Sequence, residues 1–237
     1  MLNVLYEDNH CLALAKPAGL PTQAPPGLPS LEALARDYLR DRYHKPGRVY
    51  LGIPHRLDRP VSGVVLFARQ TRSAQRLAEQ FRTRQVRKLY WALMDLPASG
   101  AVPPEQGTWE DWLVKVAGEA RAERAEPGAP GAQRAVLHFR RLGVTAQEVL
   151  LEIELETGRM HQVRVQAGSR GWPIRGDEWY GSRRLFGPAG PRVIALHART
   201  LVFLHPIRFE PVTVTAPLPE YWPAEARPAD ERGPAPE

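Results

Sequence analysis

The sequence predicts an α+β fold. Its strand-like segments are short, they are mixed with two or three helices, and strands and helices do not alternate in the regular order of a doubly wound sheet. The sequence has neither the Gly-x-Gly-x-x-Gly pattern of dinucleotide-binding folds nor the Gly-x-x-x-x-Gly-Lys-Ser/Thr pattern of phosphate-binding loops. With 237 residues, of which 43% are hydrophobic, the chain is long enough for one domain with a sizeable core.

Strands are predicted from apolar residues that alternate with polar ones and from short apolar runs. The clearest segment is 149–155, in which Val149, Leu151, Ile153 and Leu155 share one face of an extended chain. Strands are expected over residues 2–6, 11–16, 64–68, 88–94, 149–155, 196–204 and 209–215.

Helices are predicted where apolar residues recur every three or four positions. Ser30 can cap a helix over residues 31–42, and a second helix is expected to begin with Thr71 or Ser73 as its cap. Residues 160–170 fit either a strand or a helix, because an alternating pattern there ends in an Arg-Gly pair that is typical of a helix end.

The remaining segments are predicted to be loops. Residues 97–108 and 117–134 are rich in Pro, Gly, Ala and charge, and we expect mobile surface loops near them. The tail over residues 223–237 has the same composition and is expected to be disordered. The folded domain is therefore predicted to cover residues 1–222.

Charge predicts an anionic partner. The formal net charge is +6, and only four of the 32 basic residues are lysine, so 28 are arginine. Arginine forms forked contacts with phosphate and can stack on bases, which favours RNA or DNA as the partner. The alternative is that the richness in Arg, Ala and Pro reflects a GC-rich genome.

The cysteine content and the hydropathy of the sequence indicate the cellular compartment of the protein. Cys11 is the single cysteine, lies in an apolar run, and is expected to be buried and inert. No spacing of Cys and His resembles a zinc site, no apolar run has the length of a membrane span, and no secretory signal is evident. We therefore expect a cytoplasmic monomer whose chemistry uses no metal ion.

The first segment that carries chemistry is His55-Arg56-Leu57-Asp58-Arg59. A carboxylate flanked by two guanidinium groups should be ionised near neutral pH, because nearby positive charge favours its charged form. An ionised Asp58 can act as a nucleophile or as a general base. From these five residues alone, an aspartate in a turn that is salt-bridged to arginine is the simpler explanation of the pattern.

The second segment is 156–164, Glu-Thr-Gly-Arg-Met-His-Gln-Val-Arg. It places two arginines, a histidine and a glutamine directly after a predicted buried strand, and Gly158 indicates a sharp turn or a close backbone approach. A basic surface helix is the alternative explanation.

The ordered set of motifs resembles the RluA-type pseudouridine synthase family. The run 55–68, which begins His-Arg-Leu-Asp and continues through Ser62-Gly63, is similar to the signature of that family. Further similar motifs follow in the same order over roughly residues 2–217. They are Lys16-Pro17-Ala18-Gly19, Arg87-Lys88-Leu89-Tyr90-Trp91-Ala92, Thr157-Gly158-Arg159-Met160-His161-Gln162-Val163-Arg164, Pro173-Ile174-Arg175-Gly176-Asp177, Tyr180-Gly181 and Leu196-His197-Ala198 through His205-Pro206.

This resemblance implies the pseudouridine synthase fold, a mixed and mainly antiparallel sheet with flanking helices, and a helix rather than a strand for residues 160–170. It also implies roles for four residues. Asp58 matches the catalytic aspartate, Arg56 the arginine that helps displace the target base, Tyr90 the tyrosine that packs on the flipped uracil, and Arg164 the arginine that pairs with the catalytic carboxylate. Val61 and Met160 depart from the common threonines of the family motifs.

The implied activity is isomerisation of uridine in ribosomal or transfer RNA to pseudouridine, without a nucleotide cofactor or a metal. Because the resemblance starts almost at Met1, recognition is expected from the catalytic domain and its basic loops. One alternative is a catalytically silent RNA-binding or RNA-remodelling module. Another is a glycosidic hydrolase, which would need a second carboxylate; Asp177 is a candidate, although it reads more simply as a turn residue.

Overall fold

In a computed structural model of the chain, residues 2–190 and 192–224 are described. They form two compact units: residues up to Leu89 together with Ala198–Pro217 form the first, and Tyr90–His197 together with the residues from Leu218 onward form the second. Most of the predicted disordered tail, from residue 225 on, lies outside the described residues. No helix in the described ranges has the length and apolar content that a membrane crossing requires.

Ten strands, three α-helices and one 3-10 turn make up the described chain, which confirms the α+β prediction. In chain order they are β1 (Asn3–Glu7), β2 (Cys11–Lys16), α1 (Leu31–Arg42), β3 (Ser62–Ala68), α2 (Thr71–Arg82), β4 (Arg87–Asp95), β5 (Gln106–Lys115), β6 (Ala122–Ala125), β7 (Gln133–Val144), β8 (Glu148–Leu155), α3 (Gln162–Gly168), the 3-10 turn (Glu178–Tyr180), β9 (Leu196–Leu204) and β10 (Pro211–Thr215).

In the first unit, β2 lies between β1 and β3, β9 follows β3, and β10 pairs with β9. The pairs β1–β2, β2–β3 and β9–β10 are antiparallel. Every residue of β3 is buried, because apolar side chains cover both of its faces. Gly63 of β3 has a φ of 121°, and a Cβ there would lie 2.2 Å from the carbonyl oxygen of Ala198. Glycine is therefore required where β3 approaches β9.

The helices of the first unit follow the predicted spacing. Helix α1 covers the predicted residues, and the Ser30 side chain accepts a hydrogen bond from the amide of Ala33 as expected of an N-cap. Helix α2 begins at Thr71, but its N-cap is Gln70, which makes no capping bond through its side chain. The predicted cap at Thr71 or Ser73 is therefore wrong by one to three positions.

In the second unit the strand order is β4-β8-β7-β5-β6, and the pairs β7–β8, β5–β7 and β5–β6 are antiparallel. Helix α3 packs on this sheet through Val165, which belongs to a core cluster with Leu113, Ala122 and Ala135. A helix rather than a strand therefore follows the Thr-Gly-Arg motif, in agreement with the resemblance.

The loops predicted from composition are shorter in the structure than in the prediction. Strand β5 begins at Gln106, inside the segment 97–108, and strand β6 lies within the segment 117–134. Backbone hydrogen bonds to β5 hold β6 in place, with Trp112 opposite Ala125 and Lys115 opposite Ala122. A four-residue strand between glycine- and proline-rich turns leaves too short an alternating pattern to be recognised from the sequence.

Candidate active site

Asp58 lies in a loop of the first unit, residues 54–61, which leads into β3 and which we call the Asp58 loop. Leu57 is only 6% exposed and anchors this loop. Its amide donates to the buried hydroxyl of Thr22 at 3.1 Å, and that hydroxyl donates to the Leu57 carbonyl at 3.0 Å. On either side of Leu57, Asp58 is partly buried and Arg56 is exposed. The loop backbone is thus fixed next to the carboxylate.

Lys16, at the end of β2, holds the other side of the Asp58 loop. Its buried ammonium group donates to the carbonyl oxygens of Pro17 at 3.0 Å, Leu20 at 2.7 Å and Arg59 at 3.2 Å. Burial lowers the pKa of Lys16 to about 7, and the negative charge of Asp58 acts in the opposite direction. Lys16 therefore ties the Lys-Pro-Ala-Gly segment to the residue that follows Asp58.

His55 fixes the start of the same motif against the core. Its Nε2 atom accepts a hydrogen bond from the amide of Leu66 at 2.9 Å, and its ring stacks on Phe81 with 4.5 Å between centroids. Burial lowers the pKa of His55 to about 3, and the charge of Lys88 lowers it further in the same direction. His55 is therefore a neutral hydrogen-bond acceptor at neutral pH.

The turn before α3 is built around Gln162. Its side-chain oxygen accepts hydrogen bonds from the hydroxyl of Thr157 at 2.7 Å and from the amide of Arg159 at 3.0 Å. Its side-chain nitrogen donates to the Val136 carbonyl of β7 at 3.0 Å. His161, with a left-handed φ of 52°, completes the turn as the N-cap of α3. These contacts explain why threonine, glutamine and a tight turn precede Arg164.

Arg164 is buried in the second unit and forms a two-pronged ion pair with Asp177. Its Nε atom lies 2.7 Å from Oδ2 and its Nη2 atom 2.9 Å from Oδ1 of that carboxylate. Arg164 is 3% exposed and Asp177 is 1% exposed. A buried guanidinium needs such a partner, because an unpaired charge away from water is costly.

Two aromatic residues of the 3-10 turn flank Arg164. The guanidinium carbon lies 5.0 Å from the ring centroid of Tyr180 and 5.6 Å from that of Trp179. The Tyr180 hydroxyl donates to the Ala122 carbonyl of β6 at 3.0 Å and lies 2.8 Å from Nδ1 of His161. We call His161, Arg164, Asp177, Trp179 and Tyr180 the Arg164 cluster.

The four residues with predicted roles are divided between the units. Arg56 and Asp58 lie in the Asp58 loop of the first unit, whereas Tyr90, partly buried on β4, and Arg164 on α3 belong to the second. Their roles, including the pairing of Arg164 with Asp58, stay predictions.

Two contacts of these motifs were not anticipated from the sequence. The three-carbonyl anchor of Lys16 is one, and the ion pair of Asp177 with Arg164 is the other. Asp177 does precede a turn, as its position suggested, but both of its oxygens accept hydrogen bonds from Arg164. Its geometry is therefore that of a partner for arginine and does not support a second reacting carboxylate.

Among the described residues of the first unit, Asp8, Cys11 and His205 form a group of potential metal ligands. The amides of Ile207 and Arg208 donate to Nδ1 of His205, at 3.2 Å and 2.9 Å. Nδ1 is therefore the acceptor of this ring, and Nε2, which lies 2.7 Å from Oδ2 of Asp8, donates to that carboxylate. Burial raises the pKa of the Cys11 thiol to about 12. This group fits a structural hydrogen-bond network better than a metal site, since both ring nitrogens of His205 already have hydrogen-bond partners and the thiol would have to lose its proton.

Comparison with known proteins identifies the family. The family model for RNA pseudouridylate synthase matches residues 10–169. A ribosomal large subunit pseudouridine synthase D of Xanthomonas campestris is 33% identical, with 92% of this chain and 66% of that protein covered. A tRNA pseudouridine synthase C of Haemophilus ducreyi is 34% identical, with 93% of each covered.

Structural comparison agrees with the sequence comparison. The solved structure of human RNA pseudouridylate synthase domain containing 4 has a TM-score of 0.74 and 25% identity, with 92% of this chain and 89% of that one covered. The family model covers more than half of the chain, and the relatives match it over nearly its whole length. The chain therefore belongs to the RluA-type branch of the RNA pseudouridylate synthase family and is an RNA pseudouridine synthase, an isomerase.

Proposed function

We propose that the protein converts particular uridines of ribosomal or transfer RNA into pseudouridine, with Asp58 as the reacting carboxylate. The observation that carries this proposal is the placement of Asp58 in a loop held by Thr22 and Lys16. The Xanthomonas relative is a ribosomal RNA enzyme by name, and the Haemophilus relative is a transfer RNA enzyme by name. The names of these two relatives therefore support ribosomal RNA and transfer RNA as the candidate substrate classes.

The reaction is an isomerisation and needs no net input of atoms or electrons. The bond between N1 of uracil and the ribose breaks, the base turns over, and C5 of the base joins the ribose. C5 then loses its hydrogen to solvent, and N1 gains a proton. In one route, Asp58 attacks the anomeric carbon and displaces N1, and C5 then displaces Asp58. In the other, Asp58 removes a ribose proton as N1 leaves and returns it when C5 joins the ribose. Both routes require an ionised carboxylate at the sugar and regenerate it.

The other three residues have supporting roles in this proposal. The target must leave the helical stack at a cost of a few kcal/mol, and the exposed guanidinium of Arg56 can take the place of the base. Tyr90 provides an aromatic platform for the extruded uracil. Arg164, whose Nε and Nη2 atoms bind Asp177, orients Asp58.

The decisive experiment is Asp58→Asn, assayed by tritium release from RNA labelled at C5 of uridine. We expect product formation to be abolished while RNA affinity and the folded state are retained, because the change removes only the charge of the carboxylate. Asp41→Asn is the matched control, since Asp41 is an exposed aspartate of α1. Activity of Asp58→Asn within about tenfold of the wild type would contradict the role of Asp58. RNA binding by a wild type that releases no tritium would instead favour the silent RNA-binding module.

A further inference from the structure

Trp179 is an exposed aromatic residue within the Arg164 cluster. It is 47% exposed, whereas Trp109 and Trp222 are buried. Its ring lies 5.6 Å from the guanidinium carbon of Arg164 and 6.0 Å from the ring of His161. The ring therefore presents an aromatic face to solvent directly beside a buried ion pair, where a planar ligand can pack on it.

The backbone on both sides of Trp179 is firmly anchored. Two residues before it, the carboxylate of Asp177 binds Arg164, and directly after it the hydroxyl of Tyr180 bonds to Ala122. The packing against α3 is also close, because a Cβ on Gly168 would lie 2.4 Å from the Tyr180 carbonyl oxygen. The ring of Trp179 is therefore presented from a fixed turn, so little conformational entropy would be lost when a ligand packs on it.

The charges around Trp179 suit a nucleic acid. Arg192 lies 5.9 Å from the ring centroid and pairs with Glu178 at 2.7 Å. Both members of that pair are about half exposed, so an arriving base can displace Arg192 from the ring at small cost, and the freed guanidinium can bind the phosphate of that nucleotide.

We infer that Trp179 stacks on a nucleobase that neighbours the target uridine in the bound RNA. This inference rests on the proposed function, because Arg164, which touches the ring, is the residue assigned there to orient Asp58. Aromatic side chains bind unstacked bases in this way in many RNA complexes, and the stacking tolerates different base types. Trp179 is thus a substrate-binding residue that supports affinity for an opened RNA strand.

The test compares Trp179→Ala, Trp179→Phe and the wild type. The probes are transfer RNA and ribosomal RNA fragments transcribed with uridine labelled by tritium at C5. Loss of stacking should raise both Kd and KM about tenfold in Trp179→Ala and leave kcat within about twofold, whereas phenylalanine should restore most of the affinity. Leu185→Ala is the control, because Leu185 is an 80% exposed apolar residue of the same unit and should leave Kd unchanged.

Tryptophan fluorescence gives a second readout. RNA should quench the emission of the wild type, and Trp179→Phe should lose most of that quenching. Unchanged Kd and KM in Trp179→Ala would overturn the inference. So would a fall in kcat at constant KM, which would assign Trp179 to the positioning of Arg164. If the wild type releases no tritium from either RNA, the proposed function fails, but the comparison of Kd and quenching still decides whether Trp179 binds RNA.

Discussion

The position of Asp58 is set by neighbouring residues of the same loop, some of which are anchored in the protein while another is exposed to solvent. His55 and Leu57 are fixed against Leu66 and Thr22, while Arg56, between them, is exposed. The motif itself was readable in the sequence, but the Lys16 anchor was not. Lys16 donates to three backbone carbonyl oxygens. Because every residue type has such an oxygen, no pattern of side chains in the sequence predicts these contacts.

His55 predicts a specific dependence of stability on pH. Its pKa is lowered to about 3, so between the ordinary value of 6.5 and about 3 the unfolded chain binds a proton that the folded chain does not. The contribution of His55 to stability is therefore complete above the ordinary value and is lost as the pH falls through this window. The loss should reach at most about 1.4 kcal/mol per pH unit.

Urea unfolding at several pH values measures this effect. The free energy of unfolding of His55→Gln should fall less steeply with decreasing pH than that of the wild type. His138→Gln is the matched control, because His138 is an exposed histidine of β7 and should leave the slope unchanged. Equal slopes for His55→Gln and the wild type would show that His55 is protonated in the folded chain near its ordinary pKa.

Helix α3 shows why part of the candidate site escaped prediction. Its residues Gln162, Arg164 and Gln166 are as buried as the valines between them. A helix that is buried on all sides has no polar face, so its sequence lacks the helical period and alternates like a strand. Helix α1, with one exposed face, was predicted with its observed bounds. The family motif, rather than periodicity, favoured a helix for α3.

The ion pair between α3 and the 3-10 turn predicts unequal effects for two adjacent carboxylates. Asp177→Asn removes the charge that Arg164 faces with two hydrogen bonds, and should cost about 3 kcal/mol of unfolding free energy. Glu178→Gln removes a half-exposed partner of Arg192 and should cost less than about 1 kcal/mol. Urea unfolding of both variants at neutral pH tests this. Equal losses would mean that the buried pair contributes no more than the exposed one.

At the scale of the whole molecule, the order of motifs along the chain predicted the family, and composition predicted the kind of partner. The net charge of +6 and the excess of arginine over lysine favoured nucleic acid, and the family requires RNA. The sequence did not predict the strands β5, β6 and β7, because these strands are stabilised by backbone pairing with one another and with β8, which local sequence patterns do not encode. Sequence patterns therefore predicted the elements that have a clear periodicity of their own, whereas the remaining strands depend on pairing with other strands.

The charge of the whole molecule predicts that RNA affinity depends strongly on salt. Each phosphate neutralised by a cationic side chain releases bound counterions, and the slope of log affinity against log salt is about −0.7 per contact for single strands and −0.9 for duplexes. With roughly five such contacts, affinity should fall by a hundredfold or more between about 50 and 200 mM salt.

Stacking on Trp179 involves no counterions, so Trp179→Ala should weaken binding at every salt concentration and leave this slope unchanged. Filter binding or fluorescence anisotropy across a salt series measures both quantities. An affinity that is flat with salt would argue against an RNA substrate held by arginine, and a reduced slope in Trp179→Ala would mean that Trp179 acts on the phosphate contacts instead of a base.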